Sequence, residues 1–209
     1  MQKVKIGLYY FLILVYVSGT ICMVLKPSFF LPYTPFTLVY TVFVFIIFQP
    51  IKNYKYVISF AVIALIGFLS EVIGVKTDWV FGQYHYGNSL GFKLLNVPII
   101  ISLNWALLVN ASILIASKFS KHKLLLPLIS ATIATSLDFL MEQVAPNLNF
   151  WYFKGGFAGL HNYIGWFIIC FTTTYFLSKH LIKGDKKIAT TIIALQVLFF
   201  GVIYLFKHK

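Results

Sequence analysis

Acidic side chains are rare in this chain, and most of them lie where a charge is costly. Of the five acidic residues among 209, four lie in or beside apolar segments: Glu71, Asp78, Asp138 and Glu142. Asp138 and Glu142 are four residues apart, so a helix would present both on one face. Burial disfavours the charged form of a carboxyl group, and a neutral carboxylic acid can donate a proton. The pattern favours acid catalysis on an apolar substrate.

Each of these acids also has a purely structural interpretation. Asp138 or Glu142 could bond to a neighbouring helix, and Asp78 could pair with Lys76 at the membrane surface. The four acids together have no arginine as a partner anywhere in the chain. Because ionisable groups inside a membrane are costly and usually functional, the set favours a functional site.

Aromatic side chains are abundant near the acids, and their ring faces could shelter a carbocation. A belt of interfacial aromatic residues is the alternative interpretation. No group of His and Cys residues has the spacing of metal ligands, so we expect no metal site. The candidate substrate-binding residues are Trp79, Phe81, Tyr84, Tyr86, Trp105, Trp151, His161, Asn162 and Trp166.

The composition predicts the type of fold that holds these residues in place. Hydrophobic residues make up 60% of the chain and charged residues 11%, whereas a soluble domain has roughly 25% charged residues. Lipid must therefore be the solvent for most of the chain. Because a spanning helix needs about 20 apolar residues, we predict an all-α polytopic transmembrane bundle of about seven helices, a single integral membrane domain over 1–209. The predicted spans are 6–25, 35–50, 56–75, 94–117, 124–143, 161–178 and 188–206.

The net charge of +12 reflects 17 basic residues, all of them lysine, against five acidic residues. Arginine is the usual contact to phosphate and base edges, so the charge predicts membrane anchoring and no nucleic-acid binding. The N-terminus and the second, fourth and sixth loops hold 11 lysines, and the other loops with the C-terminal tail hold six. The positive-inside rule then predicts a cytoplasmic N-terminus and an outside C-terminus, with a bacterial cytoplasmic membrane as the expected location. In this orientation the acids converge at the outer side.

Three blocks of residues resemble a known family. The first runs from Glu71 and Gly74 through Thr77, Phe81-Gly82, Tyr84, Tyr86, Gly91 and Val97-Pro98 to Trp105; the second is Asp138 and Glu142 with Trp151; the third is Asn162-Tyr163, Gly165 and Trp166. Together they resemble the carotenoid biosynthesis membrane protein family, which includes bacterial carotenoid 1,2-hydratases and archaeal bisanhydrobacterioruberin hydratase. Gln143 stands where a proline is expected, and His161 where a polar residue such as glutamine is expected.

The resemblance implies a cofactor-independent hydro-lyase reaction. Water would add to the terminal C1–C2 double bond of an acyclic carotenoid ψ-end: a proton goes to C2, and water captures the tertiary cation at C1. It implies Asp138 or Glu142 as the proton donor, with Glu71 and Asp78 holding water or stabilising the cation. The expected partners are an acyclic or monocyclic carotenoid from the bilayer, water and membrane lipids.

Two other functions remain open from the sequence. A lycopene-type carotenoid cyclase would use the same protonation but close a ring, so its product would be an isomer of its substrate. A proton-coupled transporter would use the carboxyl groups as a relay. The absence of an inverted repeat and the clustering of the acids at one side count against transport.

Overall fold

Seven long helices follow the seven apolar segments in the computed structural model, which describes residues 2–207. A short helix and a short 3-10 turn precede the second of them, and a second 3-10 turn, Pro146–Leu148, follows the fifth. The α-helices are α1 (Gln2–Leu25), α2 (Pro27–Phe30), α3 (Thr34–Ile47), α4 (Tyr54–Thr77), α5 (Ile100–Ala116), α6 (Leu125–Glu142), α7 (Leu160–Leu181) and α8 (Lys186–Lys207).

The lengths of the helices fit a membrane protein. Within residues 2–207, five segments are long and apolar enough to cross a bilayer: α1, Pro27–Ile47, α4, α6 and α8. The α5 helix is apolar but shorter, at 17 residues, and α7 has 22. The prediction of an all-α polytopic bundle is confirmed. The apolar helices fit an integral membrane protein, as the composition predicted.

Helix α5 is the centre of the bundle. It packs against α3, α4, α6, α7 and α8. Its side chains are buried nearly all round, which is the environment of a helix that is apolar on every face. The buried Asn110 side chain donates to the hydroxyl of Tyr56 at 3.0 Å, which joins α5 to α4 through a polar contact.

The start of α5 differs from the predicted span of 94–117. Residues Lys93–Leu94 form strand β2, which pairs antiparallel with strand β3 at Val97–Pro98. Leu95 and Asn96 make the turn between them with φ values of 53° and 68°. A helix cannot pass through two residues in the left-handed region, so α5 begins at Ile100.

The two longest connections between the helices, after α4 and after α6, pair with each other. Strand β1 (Tyr84–Tyr86), which lies between α4 and α5, runs antiparallel to β4 (Trp151–Phe153), which lies between α6 and α7. The register sets Tyr84 opposite Phe153 and Tyr86 opposite Trp151. This small sheet ties together the two helix pairs whose ends carry the acidic residues.

Helices α4 and α5 approach closely at Gly67. A Cβ atom at this position would lie 2.2 Å from Cγ and 2.4 Å from Cβ of Trp105. Trp105 is fully buried, and both of these atoms are at the root of its side chain. The glycine therefore lets the indole of Trp105 lie directly against the backbone of α4.

We predict that Gly67→Ala lowers the free energy of unfolding by about 1–3 kcal/mol, because the added methyl group overpacks this contact. The matched control is Gly201→Ala on α8, where nothing lies within 4 Å of the added Cβ. The control should be neutral or slightly stabilising, because alanine favours a helix. Thermal unfolding of the purified proteins in one detergent measures the difference. Equal midpoints for the two variants would contradict the close approach at Trp105.

Candidate active site

Three of the predicted acidic residues line one pocket. Glu71 comes from α4, and Asp138 and Glu142 come from the last turns of α6. The cavity volume is about 20 Å³, which is enough for a water molecule. The other predicted residues that line it are Phe81, Tyr84, Tyr86, Trp105, Trp151, Asn162 and Trp166.

Glu71 accepts hydrogen bonds from three donors. The hydroxyl groups of Tyr84 and Tyr86 donate to its Oε2 atom, the latter at 2.8 Å. The indole Nε1 of Trp105 donates to its Oε1 atom at 2.9 Å. A carboxylate can only accept hydrogen bonds, and bonds donated to the charged form favour that form. Glu71 is 4% exposed, which disfavours its charged form, and these three hydrogen bonds act in the opposite direction.

Strand β1 delivers the two tyrosines because its side chains alternate. Tyr84 and Tyr86 point inward and are buried, whereas His85 is exposed and stacks on Tyr152. Burial is the main cause that raises the pKa of both buried tyrosines well above the usual 10, and the negative charge of Glu71 raises it further. Both hydroxyl groups therefore keep their protons and stay hydrogen-bond donors.

Asp138 and Glu142 share one donor. The Nδ2 atom of Asn162 on α7 lies 2.9 Å from Oδ2 of Asp138 and 3.4 Å from Oε1 of Glu142. The other oxygen of Glu142 accepts from Nε1 of Trp151 at 2.8 Å. Within residues 2–207, Oδ1 of Asp138 is buried without a partner. Asp138 is 1% exposed, and its acidic neighbours are Glu142 and Glu71. This environment suits a neutral Asp138.

Two tryptophans form one wall of the pocket. The rings of Trp105 and Trp166 stack with centroids 3.7 Å apart and an angle of 9° between their planes. Trp166 is held on α7, where Gly165 has no room for a side chain: a Cβ atom there would lie 2.4 Å from the carbonyl oxygen of Val80. The close contact fixes α7 against the segment that follows α4. The pocket therefore combines carboxyl groups with large π surfaces.

Three predicted site residues lie outside this pocket. Asp78 is exposed and ends α4 with a left-handed φ of 58°, Trp79 is 76% exposed, and His161 is exposed at the start of α7. Asp78 is separated from Glu71 by nearly two helical turns, which carries it beyond the buried part of α4. The structure thus brings together three of the four acids and leaves these side chains at the surface.

A larger, apolar cavity adjoins the acidic pocket. Its volume is about 130 Å³, and its walls come mainly from α1, α3, α5 and α8. It shares Ile101, Asn104, Met141 and Trp151 with the acidic pocket. Apart from Trp151, these residues were not predicted from the sequence, because apolar lining residues resemble core residues. Asn104, an amide inside an apolar segment, was the available signal.

The described residues offer no cluster for a metal. Among residues 2–207, no group of three or more His, Cys, Asp or Glu side chains is arranged to hold a metal ion. The groups of this site that can act chemically are thus three carboxyl groups, two amides, two phenols and the indoles. Such a set can move protons, hold a water molecule and stabilise a cation.

One protein-family model, described as carotenoid biosynthesis protein, matches residues 33–208. The match covers every residue of both cavities except those of α1 and Phe30. Comparison with curated proteins and with solved structures finds no match.

We predict that Tyr84 and Tyr86 stay protonated in the folded protein at pH 11, because their pKa values are raised. In the unfolded chain a tyrosine ionises near pH 10. These two residues therefore make the folded state less stable as the pH rises above about 10, since only the unfolded state then loses the protons. The measurement is tyrosinate absorbance during a pH titration of wild type and of Tyr84→Phe/Tyr86→Phe.

The two proteins should reach the same absorbance while folded. Unfolding both proteins in denaturant at pH 11 serves as the control and should give the wild type two more ionised tyrosines than the variant, because an unfolded tyrosine ionises near pH 10. A wild-type excess of two ionised tyrosines at pH 11, with the fold intact by circular dichroism, would contradict the prediction.

Proposed function

The chain belongs to the carotenoid biosynthesis protein family, and we propose that it adds water to the terminal C1–C2 double bond of an acyclic carotenoid ψ-end. The observation that carries the proposal is the free oxygen of Asp138 in a pocket that adjoins an apolar cavity. The carboxyl group of Asp138 would therefore contact a hydrocarbon substrate at the boundary between the acidic pocket and the apolar cavity. Hydration needs such a boundary, because it joins water to a substrate that water does not dissolve.

The substrate would reach the acid through the apolar cavity. A space of about 130 Å³ has room for an end group and not for a whole polyene. The rest of the chain would stay in the lipid or between the helices. With the end group in the cavity, its terminal double bond would lie near the shared residues Asn104 and Met141, next to the carboxyl groups.

Protonation is the difficult step, because it creates a tertiary carbocation. Asp138 would give its proton to C2 of the terminal double bond, leaving the positive charge on C1. Asp138 suits this role because a buried acid with a single bonded oxygen is held neutral. The carboxylate of Glu71 and the ring faces of Trp105 and Trp166 would stabilise the cation.

Water would complete the reaction. The acidic pocket is large enough for a water molecule, and Glu142, Asn104 and Asn162 in its lining would hydrogen-bond to that water. Its oxygen would attack C1, and the bound oxygen would then lose one proton to the carboxylate of Glu142. That proton returns to Asp138, one helical turn away on the same face, so that the enzyme ends as it began. The net change is one C=C bond and one water converted into a tertiary alcohol.

The polar lining favours hydration over cyclisation. A cyclase would use the same proton but must keep water away from the cation. Asn104 and Asn162 place amide groups in the pocket, and an amide binds water well. The mass of the product separates the two activities.

The test is expression in a bacterial host that accumulates lycopene, followed by chromatography and mass spectrometry of the pigments. We expect a more polar pigment that is heavier by one water. Asp138→Asn should lower its yield by about 100-fold or more, because a general acid is lost. Glu142→Gln and Glu71→Gln should also lower it.

The matched control is Asp185→Asn, which removes an acid in the loop before α8. Asparagine can replace the aspartate oxygen that accepts from the backbone N–H groups of Lys187 and Ile188. This variant should keep full yield. A pigment of unchanged mass but altered retention would indicate a cyclase, and full activity of a folded Asp138→Asn protein would remove Asp138 as the acid.

A further inference from the structure

A second polar cluster lies in the wall of the apolar cavity, away from the acidic pocket. It consists of Tyr16 on α1, Thr41 on α3 and Gln196 on α8. All three side chains are buried, with Tyr16 7% and Gln196 4% exposed, and Tyr16 and Gln196 line the cavity. Three helices thus each contribute one buried polar side chain to this cluster.

The hydrogen atoms of this cluster can be assigned by counting donors. The Thr41 hydroxyl donates to the carbonyl oxygen of Thr37 at 2.7 Å, which uses its one hydrogen. The hydroxyl oxygens of Tyr16 and Thr41 are 3.3 Å apart, so Tyr16 is the donor in that pair. The Gln196 side chain then donates an amide hydrogen to the Tyr16 oxygen.

In this arrangement one strong hydrogen-bond acceptor has no donor. Within the described residues 2–207, Oε1 of Gln196 is buried and has no hydrogen-bond partner. A buried carbonyl group without a donor is costly, and native structures usually supply one. If the side-chain amide of Gln196 were flipped, its NH₂ group would be the atom without a hydrogen-bond partner at the same place. A hydroxyl group can serve either orientation, because it both donates and accepts.

We propose that Gln196, supported by Tyr16 and Thr41, is a hydroxyl-binding subsite, and that the cavity takes an isoprenoid chain that already carries a hydroxyl group. The chain's hydrocarbon part would contact the apolar walls, including Phe199 and Phe200. The subsite would fix how deep the chain lies and therefore which double bond reaches the acids. Only the position of the reacting double bond, next to the acids, rests on the proposed function.

Acyclic isoprenoid alcohols test the subsite, because they carry the same terminal double bond and a hydroxyl group at graded distances from it. Tritium-labelled geraniol, farnesol and geranylgeraniol would be titrated into the protein in lipid nanodiscs, each beside the hydrocarbon that lacks the hydroxyl group. Empty nanodiscs give the background. At least one alcohol should bind about 10-fold more tightly than its hydrocarbon, as expected for one buried hydrogen bond.

The tighter binding of the alcohol over its hydrocarbon should disappear in Gln196→Leu. It should be smaller in Tyr16→Phe, because this substitution removes the hydroxyl group that orients the Gln196 amide. The same substitution at an exposed glutamine, Gln83→Leu, is the control and should leave the advantage unchanged. If Gln196→Leu does not fold, the Tyr16→Phe result decides.

Equal binding of each alcohol and its hydrocarbon to wild type would overturn the subsite, and so would an advantage that survives in both variants. Binding is read without turnover, so failure of the proposed hydration would appear separately, as normal binding of the alcohols with no hydrated pigment.

Discussion

Three carboxyl groups share one buried pocket, and the accommodation of their charge is the constraint on which the rest of the structure depends. Asp138 and Glu142 stand one turn apart on α6 and face Glu71 on α4. Three ionised carboxylates at this depth would repel one another and lose their hydration. The surroundings of the carboxyl groups differ, and this difference reduces the repulsion. Glu71 receives three donated hydrogen bonds, whereas Asp138 receives one and keeps an oxygen free.

Each of these donors requires a particular piece of the fold. The tyrosines reach Glu71 because β1 pairs with β4 and turns alternate side chains inward. The indole of Trp105 reaches it because Gly67 lets α5 lie against α4. Asn162 bridges the other two acids from the first turn of α7. Tyr84, Tyr86 and Trp151 of the connections therefore donate directly to carboxyl groups, whereas Trp79 is exposed and fits the interfacial belt.

The helices and the meeting of the acids could be predicted from the sequence because both follow from local patterns. Apolar length locates the spans, and alternate spans bring the ends that carry Glu71 and Asp138 to one side.

The pairing of β1 with β4 could not be predicted from the sequence, because two three-residue strands separated by 64 residues have no local signal. The apolar cavity was missed for a related reason: whether Met141 or Phe200 fills the core or lines a space depends on the packing of other helices. Asp78 was included because it is acidic and near Glu71, but the end of α4 carries it to the surface.

Infrared spectroscopy of the protein in lipid at neutral pH tests most directly the division of protonation among the three acids. A protonated carboxyl group has a carbonyl stretch that is well separated from the bands of a carboxylate, and this chain has only five acidic residues. We expect such a band in the wild type, its loss in Asp138→Asn and its persistence in Glu71→Gln. A band that persists in Asp138→Asn and disappears in Glu71→Gln would contradict a neutral Asp138, because it would make Glu71 the neutral acid and leave Asp138 without a proton to give.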